Sequence, residues 1–279
     1  MSKSVSLRTY FCLIVVLLLL LSCATTGPGG KQSFIIIPTS QEVDIGAGMA
    51  EQVEQQEKIF GDTVWQNYLD GVGQKIAAVS DRKDITWHFK VIESDQINAF
   101  AAPGGYIYFY TGLLREMDNE AEMAAVVSHE ISHVVGRHSI KRVQAALGVA
   151  AVYQLVFGEE GASDVLNLAV GVGMNLLFAD YSRDNEREAD EFGIHYMVKA
   201  GYDPQGAVGM FEKLASLGGG GDYGVFEKLA SSHPETQERI RNAKAQIARM
   251  QPLPPGITLG KERYTQMLQR LPTKQQDQG

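Results

Sequence analysis

The chain has 279 residues, of which 44% are apolar and 21% charged, a composition that supports one substantial hydrophobic core and argues against disorder. Its 33 acidic residues outnumber its 25 basic ones and give a formal net charge of −8, which argues against a nucleic-acid binder held by phosphate contacts. Only two cysteines occur, Cys12 and Cys23, both within or just after an N-terminal apolar run. The folded body therefore has no disulfide framework, thiolate metal site or cysteine nucleophile.

The N-terminus has the layout of a secretory signal peptide. Lys3 and Arg8 precede an apolar run at residues 10–21 that is too short to cross a bilayer comfortably. The string LLSC, which ends at Cys23, resembles a bacterial lipoprotein signal, and this resemblance implies cleavage before Cys23 and attachment of lipid, including palmitate, to that residue. An uncleaved anchor helix is the alternative. In either case we expect an exported, membrane-tethered protein, and Ala24 after the cysteine resembles the signal for an outer membrane, facing the periplasm.

We expect four segments along the chain: a signal peptide at residues 1–22, a lipidated tether at 23–40, one domain at 41–250 and a loosely ordered tail at 251–279. The tether is rich in Gly, Thr and Pro, which is typical of a flexible linker. The start of the tail is rich in proline, and its end is the polar string KQQDQG, so we expect it to be loosely held.

Within the domain, apolar periodicity predicts two helices in residues 41–80 and a strand at 85–91. The Pro103-Gly104-Gly105 turn predicts an antiparallel strand pair around it. Asn119 and Glu122 form a capping pattern for a helix at 118–138, and further helices are expected at 183–200 and from 232 onward. The expected fold is a mostly helical α+β domain with a small antiparallel sheet beside the helix at 118–138.

Residues 145–179 are the most apolar part of the body, but Asn167 and Asn175 interrupt them, so neither half is an uninterrupted spanning length. Packed or lid helices are favoured over contact with a membrane surface. Amphipathic membrane helices usually carry Lys or Arg on their polar face, and these helices do not.

An HExxH motif occurs at residues 129–133, inside the predicted helix. Four residues advance a helix slightly more than one turn, so His129 and His133 project from one face and can share a metal ion. Glu130, beside the first histidine, can accept a proton from a water molecule at that metal. The alternative, two surface histidines on an ordinary helix, is disfavoured because apolar residues surround the motif and indicate burial.

A zinc hydrolase needs a third protein ligand and one open position. The continuation HExxHxxGxxH is absent, and His138 projects about 140° around the helix from His133, so it is favoured as a charge at the helix end. The later helix offers Glu186 and Asp190 on one face, so that one can ligate while the other orients a ligand histidine. Glu188 is expected to face solvent.

Four strings resemble metallopeptidase family forty-eight, the HtpX and CAAX-prenyl-protease type of zinc endopeptidase: NAFAAPGGYIYFYTGLL, HEISHVVGRHS, SRDNEREAD and SHPETQERI. Within that family the chain is most similar to the exported lipoproteins of the BepA-like and LoiP-like kind. The resemblance implies a zincin-like metalloprotease domain with one Zn²⁺ per chain, held by His129, His133 and Glu186. It also implies Glu130 as the general base and Asp190 as the partner of a ligand.

The same resemblance places His233 and Arg239 near the active site. His233 can be a latch that fills the open metal position, a donor to the oxyanion that forms during attack, or a simple helix cap. The latch is slightly favoured. Arg239 is the second candidate for the oxyanion donor.

These residues predict a zinc-dependent metalloendopeptidase, a peptide-bond hydrolase of the bacterial cell envelope. An extended polypeptide is expected to pair with the strand at Asn98, Ala99, Phe100 and Ala101. The resemblance and the tether imply misfolded or unassembled envelope proteins as substrates, outer-membrane assembly partners, and no nucleic acid. A chaperone-like binding or assembly factor with latent protease activity is the alternative.

Overall fold

A computed structural model describes residues 27–30, 33–158, 161–218 and 237–273. The described part is mostly helical and contains one three-stranded sheet, which confirms the predicted fold class. The signal peptide, Cys23 and His233 lie outside the described residues.

Two helices open the domain, α1 (Thr39–Gln56) and α2 (Thr63–Ala77), as the periodicity predicted. The Asp62 side chain caps α2 by accepting hydrogen bonds from the main-chain nitrogens of Val64 and Trp65. The inner face of α2 is buried in the main core. The folded domain begins before residue 41, the predicted end of the tether, because Ile35 and Ile37 are buried in its core.

The sheet contains β1 (His88–Ile92), β2 (Ala99–Ala102) and β3 (Tyr106–Tyr110), in the order β1-β3-β2. Strands β2 and β3 are antiparallel, as predicted, and a 3₁₀ turn at Pro103–Gly105 joins them. Gly105 has a φ of 97°, and a Cβ atom there would lie 2.5 Å from the Thr86 carbonyl oxygen, so this turn requires glycine.

The prediction of a wholly antiparallel sheet is wrong, because β1 pairs with β3 in parallel. The connection at residues 93–98 is too short to return along the length of the sheet. The end of β1 and the start of β2 therefore lie at the same end of the sheet. The Ser94 main chain is fixed at that end by hydrogen bonds with Thr111 and Gly112, just after β3. Since β3 reverses β2, it runs in the direction of β1.

The helix that carries the HExxH motif lies at the centre of the fold. A short helix α3 (Thr111–Glu116) leads to α4 (Glu120–Val135), every residue of which is buried. The predicted cap is present, since the Asn119 side chain accepts from the Glu122 nitrogen and donates to the Glu122 carboxylate. Helix α4 packs against α2, β2 and the later helices, so its polar side chains enter a closed interior.

Among the described residues, five helices lie between α4 and the C-terminal segment. They are α5 (His138–Phe157), α6 (Ala162–Leu176), α7 (Arg183–Lys199), α8 (Gln205–Gly218) and α9 (Gln237–Arg249). In the described residues α5 is the helix that is long and apolar enough to cross a membrane by those two criteria alone. Gly148, with φ 75° and ψ 169°, breaks α5 into two shorter pieces.

The predicted loose tail is wrong for the residues described. Helix α10 (Lys261–Leu268) packs on α2, where Tyr264 is fully buried and donates a hydrogen bond to the Leu114 carbonyl oxygen at 2.7 Å. The Trp65 indole donates to the Met267 carbonyl oxygen at 2.9 Å. Tyr264 and Met267, three residues apart on one face of α10, hold this segment against the core. The prolines that precede α10 are nevertheless typical of a linker.

Candidate metal centre

Two histidines and a glutamate converge in the buried interior between α4 and α7. The Nε2 atoms of His129 and His133 lie 3.0 Å apart. One carboxylate oxygen of Glu186 lies 3.2 Å from His133 Nε2, and the other lies 3.5 Å from His129 Nε2. All three residues are buried, and their candidate ligand atoms lie within 4.8 Å of one another.

The close approach of α7 to α4 brings Glu186 to the histidines. A Cβ atom at Gly193 on α7 would lie only 3.2 Å from the His129 main-chain nitrogen, so a side chain there would force the helices apart. Ser182 caps α7 by accepting from the Asn185 nitrogen, which begins the helix one turn before Glu186. The glutamate therefore lies in the first turn of a well-placed helix.

The tautomer of His129 is assigned from the contact of its Nδ1 atom, the ring nitrogen that points away from the cluster. His129 Nδ1 lies 3.0 Å from an oxygen of Asp190, so Nδ1 is the nitrogen that carries the hydrogen. Its Nε2 atom then presents a lone pair to Glu186 and His133. Asp190 lies where it can orient His129, and its role as the partner of a ligand stays a prediction.

Arg239, on α9, contacts both acidic residues of α7. Its Nε and Nη2 atoms donate to the two oxygens of Asp190, each at 2.7 Å, and its Nη1 atom lies 3.3 Å from Glu186 Oε2. Burial alone would raise the pKa of Asp190, but the Arg239 charge and the hydrogen bonds from His129 and Arg239 lower it. Asp190 therefore stays ionised. Arg239 has a positioning role here, and its predicted oxyanion contact stays a prediction.

A second chain of contacts orients His133. His138 Nε2 lies 3.3 Å from Glu188 Oε1, and His138 Nδ1 lies 2.9 Å from His133 Nδ1. We assign His138 as donor to the carboxylate and acceptor from His133, which leaves the His133 Nε2 lone pair facing the cluster. The predictions that His138 is a charge at a helix end and that Glu188 faces solvent are wrong, since both are buried.

This donor set fits a divalent metal ion. Burial is the largest influence on His133 and lowers its pKa well below 6.5, so the imidazole is neutral. Two nitrogen lone pairs 3.0 Å apart beside a carboxylate repel one another unless a cation lies between them. Donor separations of this size are those of a tetrahedral site with metal–ligand distances of about 2.0–2.2 Å.

Sequence reasoning missed Tyr181. Its ring stacks on His133 with centroids 4.1 Å apart, and its hydroxyl lies 2.7 Å from Ser139 Oγ. Burial raises the pKa of Tyr181 to about 12. The residue lies between α6 and α7 without any motif spacing, so only an aromatic residue just before a helix cap could have drawn attention to it.

The remaining predicted site residues have clear positions. Glu130 is buried on α4 beside His129. The predicted substrate strand at residues 98–101 corresponds to β2, which lies at the edge of the sheet and packs on α4. Its side chains are buried, and within the described ranges no other strand pairs with its outer edge.

Comparison with known families agrees with this geometry. The model described as Peptidase family M48 matches residues 64–247, which include the HExxH motif, Glu186 and Arg239. The chain belongs to peptidase family M48. The resemblance stated from the four motifs is thereby confirmed.

Relatives in peptidase family M48 carry protease names. The chain is 26% identical to the beta-barrel assembly-enhancing protease of Escherichia coli, over 80% of this chain and 47% of that protein. It is 35% identical to the metalloprotease YcaL of Escherichia coli, over 58% of this chain and 62% of that protein. It is 37% identical to the mitochondrial metalloendopeptidase OMA1 of Arabidopsis thaliana, over 67% of this chain and 37% of that protein. The chain spans about half the length of the beta-barrel assembly-enhancing proteases that it matches.

Proposed function

We propose that this protein is a zinc metalloendopeptidase of the bacterial cell envelope, with His129, His133 and Glu186 as the zinc ligands. The observation that carries the proposal is the buried cluster of these three side chains, within 4.8 Å of one another, next to Glu130. Membership of peptidase family M48 supports it independently. Nitrogen and oxygen ligands with one open position are what a catalytic zinc site requires.

The chain's own residues account for the steps of peptide hydrolysis. A bound zinc ion supplies Lewis acidity toward the scissile carbonyl and lowers the pKa of a water molecule at its open position. Glu130 accepts a proton from the attacking water and returns it to the leaving amine. Asp190 and His138 hold the two ligand histidines in the tautomers that face the metal.

Substrate is proposed to bind as an extended strand along β2. Strand β2 lies at the edge of the sheet and packs on α4, so a strand added at that edge would lie near the helix that carries His129 and His133. Main-chain hydrogen bonds of this kind tolerate many side chains, which suits misfolded or unassembled polypeptides. The names of the beta-barrel assembly-enhancing proteases favour envelope proteins as the substrate class and outer-membrane assembly factors as partners.

Lipid attachment at Cys23 is proposed to hold the protein at the outer membrane, with the residues between Cys23 and the buried Ile35 as the tether of the catalytic domain. Replacing Cys23 with Ala is expected to abolish acylation and release the protein from the membrane fraction. Cys12→Ala is the matched control and should change nothing, since that residue leaves with the signal peptide. Acylated, membrane-bound protein from the Cys23→Ala gene would contradict this placement.

The proposed activity is tested on the purified protein with unfolded casein as substrate. The protein should cleave casein, lose this activity when a chelator strips the metal, and regain it with one equivalent of zinc. Unchanged cleavage without metal would contradict the zinc mechanism. Binding of casein without cleavage by the zinc-loaded protein would favour the alternative function, a chaperone-like factor with latent protease activity.

A further inference from the structure

Beyond the Gly148 kink, α5 presents an apolar face to solvent. Val149, Tyr153 and Phe157 are 81%, 63% and 64% exposed. Their spacing of four residues places them on one side of the helix, and the rings of Tyr153 and Phe157 lie 5.2 Å apart. These three side chains are called the apolar face below.

The composition around the apolar face differs from that of a normal soluble surface. Residues 143–158 contain no Asp, Glu, Lys, Arg or His. Single exposed apolar side chains are ordinary, and Val64 and Leu259 are examples elsewhere on this protein. A contiguous group of large apolar side chains without charges among them marks a contact surface.

The N-terminal segment indicates what covers this face. The Gln144 side chain, on α5, accepts a hydrogen bond from the Ile36 main-chain nitrogen at 2.6 Å and donates to the Phe34 carbonyl oxygen at 3.3 Å. The chain therefore enters the domain along α5, five residues before Val149. Only 11 positions separate Cys23 from Phe34. Fully extended, they reach at most about 40 Å, so the apolar face lies within reach of the anchoring bilayer.

We propose that the apolar face inserts into the surface of the lipid bilayer that carries the N-terminal anchor. This inference rests on the proposed attachment through Cys23. The piece of α5 from Val149 to Phe157 is about 14 Å long, against a hydrocarbon core of about 30 Å, so it lies in the interface and does not cross. The sequence argument from missing Lys and Arg favoured packed or lid helices, whereas the side chains of Val149, Tyr153 and Phe157 are exposed.

This contact would also orient the catalytic site. Helix α5 begins three residues after α4 ends, so a membrane contact on α5 fixes the distance of the HExxH helix from the bilayer. The protein would then cleave substrates at one height above the membrane.

The test is quenching of tryptophan fluorescence by brominated lipids. Trp65 and Trp87 are buried and give a constant background, so a tryptophan added at an exposed position reports its own surroundings. Tyr153→Trp and Val149→Trp place the probe on the apolar face, and Val64→Trp is the matched control on a different surface. The acylated protein is reconstituted in phosphatidylethanolamine and phosphatidylglycerol vesicles, with plain or brominated acyl chains.

We expect the added emission of Tyr153→Trp and Val149→Trp to be lost in brominated vesicles, and that of Val64→Trp to be retained. Full emission from both apolar-face variants while the protein floats with the vesicles would overturn the proposal. A blue shift that rises with protein concentration in the absence of lipid would overturn it in favour of a second copy of the chain.

Failure of the anchor is distinguished from failure of the apolar face. If the protein is not acylated and does not float, the Cys12→Ala chain is coupled through its Cys23 thiol to a maleimide lipid. The same comparison of brominated and plain vesicles then decides the proposal for the apolar face alone.

Discussion

Contacts of the outer ring nitrogens assign which nitrogen of His129 and of His133 faces the proposed metal site. Asp190 orients His129 directly, whereas Glu188 orients His133 through His138. An imidazole between the carboxylate and the ligand is an unusual link, because the carboxylate or a main-chain oxygen ordinarily contacts the ligand itself. We therefore predict that His138 is a positioning residue, which acts through His133.

Replacing His138 with Phe should weaken zinc binding by about 10–100-fold, because His133 then loses the acceptor for its Nδ1 proton. Competition with a chromophoric chelator measures the affinity, and the absorption spectrum of the cobalt-substituted protein reports the altered ligand geometry. Glu188→Gln should also weaken zinc binding and alter the cobalt spectrum, each by a smaller amount. His195→Asn, on the same protein but outside the cluster, is the control. Wild-type affinity and spectrum in His138→Phe would refute the positioning role.

Sequence reasoning predicted the cluster of His129, His133 and Glu186 better than the residues that contact it. His129 and His133 are four residues apart on one helix, so short-range geometry alone brings them together. The interpretation of His138 failed because the helix does not continue. Arg137 adopts a left-handed φ of 52°, and the chain turns so that His138 begins a new helix pointing back at His133. A helical projection cannot anticipate such a break.

At the scale of elements, one buried carboxylate joins several segments. Glu42, on α1, accepts two hydrogen bonds from Arg82 at 2.8 Å and one from Arg137 at 2.6 Å. Arg82 also donates to the Val134 carbonyl oxygen at the end of α4, and the Gly104 nitrogen lies 3.4 Å from Glu42. These contacts fix the turn after β2 relative to α4, the helix that carries the HExxH motif.

Removing this carboxylate should be strongly destabilising. Glu42→Ala removes the carboxylate that Arg82 and Arg137 share and leaves Arg82 with Asp84 alone, so the free energy of unfolding should fall by about 3–5 kcal/mol. Urea denaturation measures the change, and Glu51→Ala, at an exposed position of the same helix, is the control with little expected effect. A loss for Glu42→Ala no larger than the control would show that the cluster does not hold these elements together.

Apolar periodicity and capping residues predicted where the helices lie, but no pattern in the sequence predicted the order of the strands in the sheet. Asn119 and Ser182 act at short range, so the starts of α4 and α7 were predictable. The parallel pairing of β1 with β3 depends on hydrogen bonds between residues 94 and 111–112, which no local pattern encodes. The docking of α10 likewise depends on a pocket formed by distant residues.

For the whole molecule, buried neutral histidines predict loss of stability in acid. Burial lowers the pKa of His133 and of His138 below 6.5. Below pH 6.5 the unfolded chain therefore binds protons that the folded chain does not, and the free energy of unfolding falls as the pH decreases. Stability from these groups is fully present only above pH 6.5.

Urea denaturation of the metal-free protein at about pH 7.5 and about pH 5.5 measures this dependence. The free energy of unfolding should be smaller at the lower pH, and His138→Phe should reduce the difference because one of the two groups is gone. Equal stability of the wild-type protein at both values would be inconsistent with neutral histidines in the interior.

The central claim is that His129, His133 and Glu186 hold one catalytic zinc ion while Glu130 acts on water without binding the metal. The most direct measurement compares metal content and casein cleavage in Glu130→Gln and Glu186→Ala, purified side by side. Glu130→Gln should keep one equivalent of zinc and lose cleavage, because it lacks the proton acceptor. Glu186→Ala should lose the zinc itself. Wild-type cleavage by Glu130→Gln, or a full equivalent of zinc in Glu186→Ala, would contradict the account.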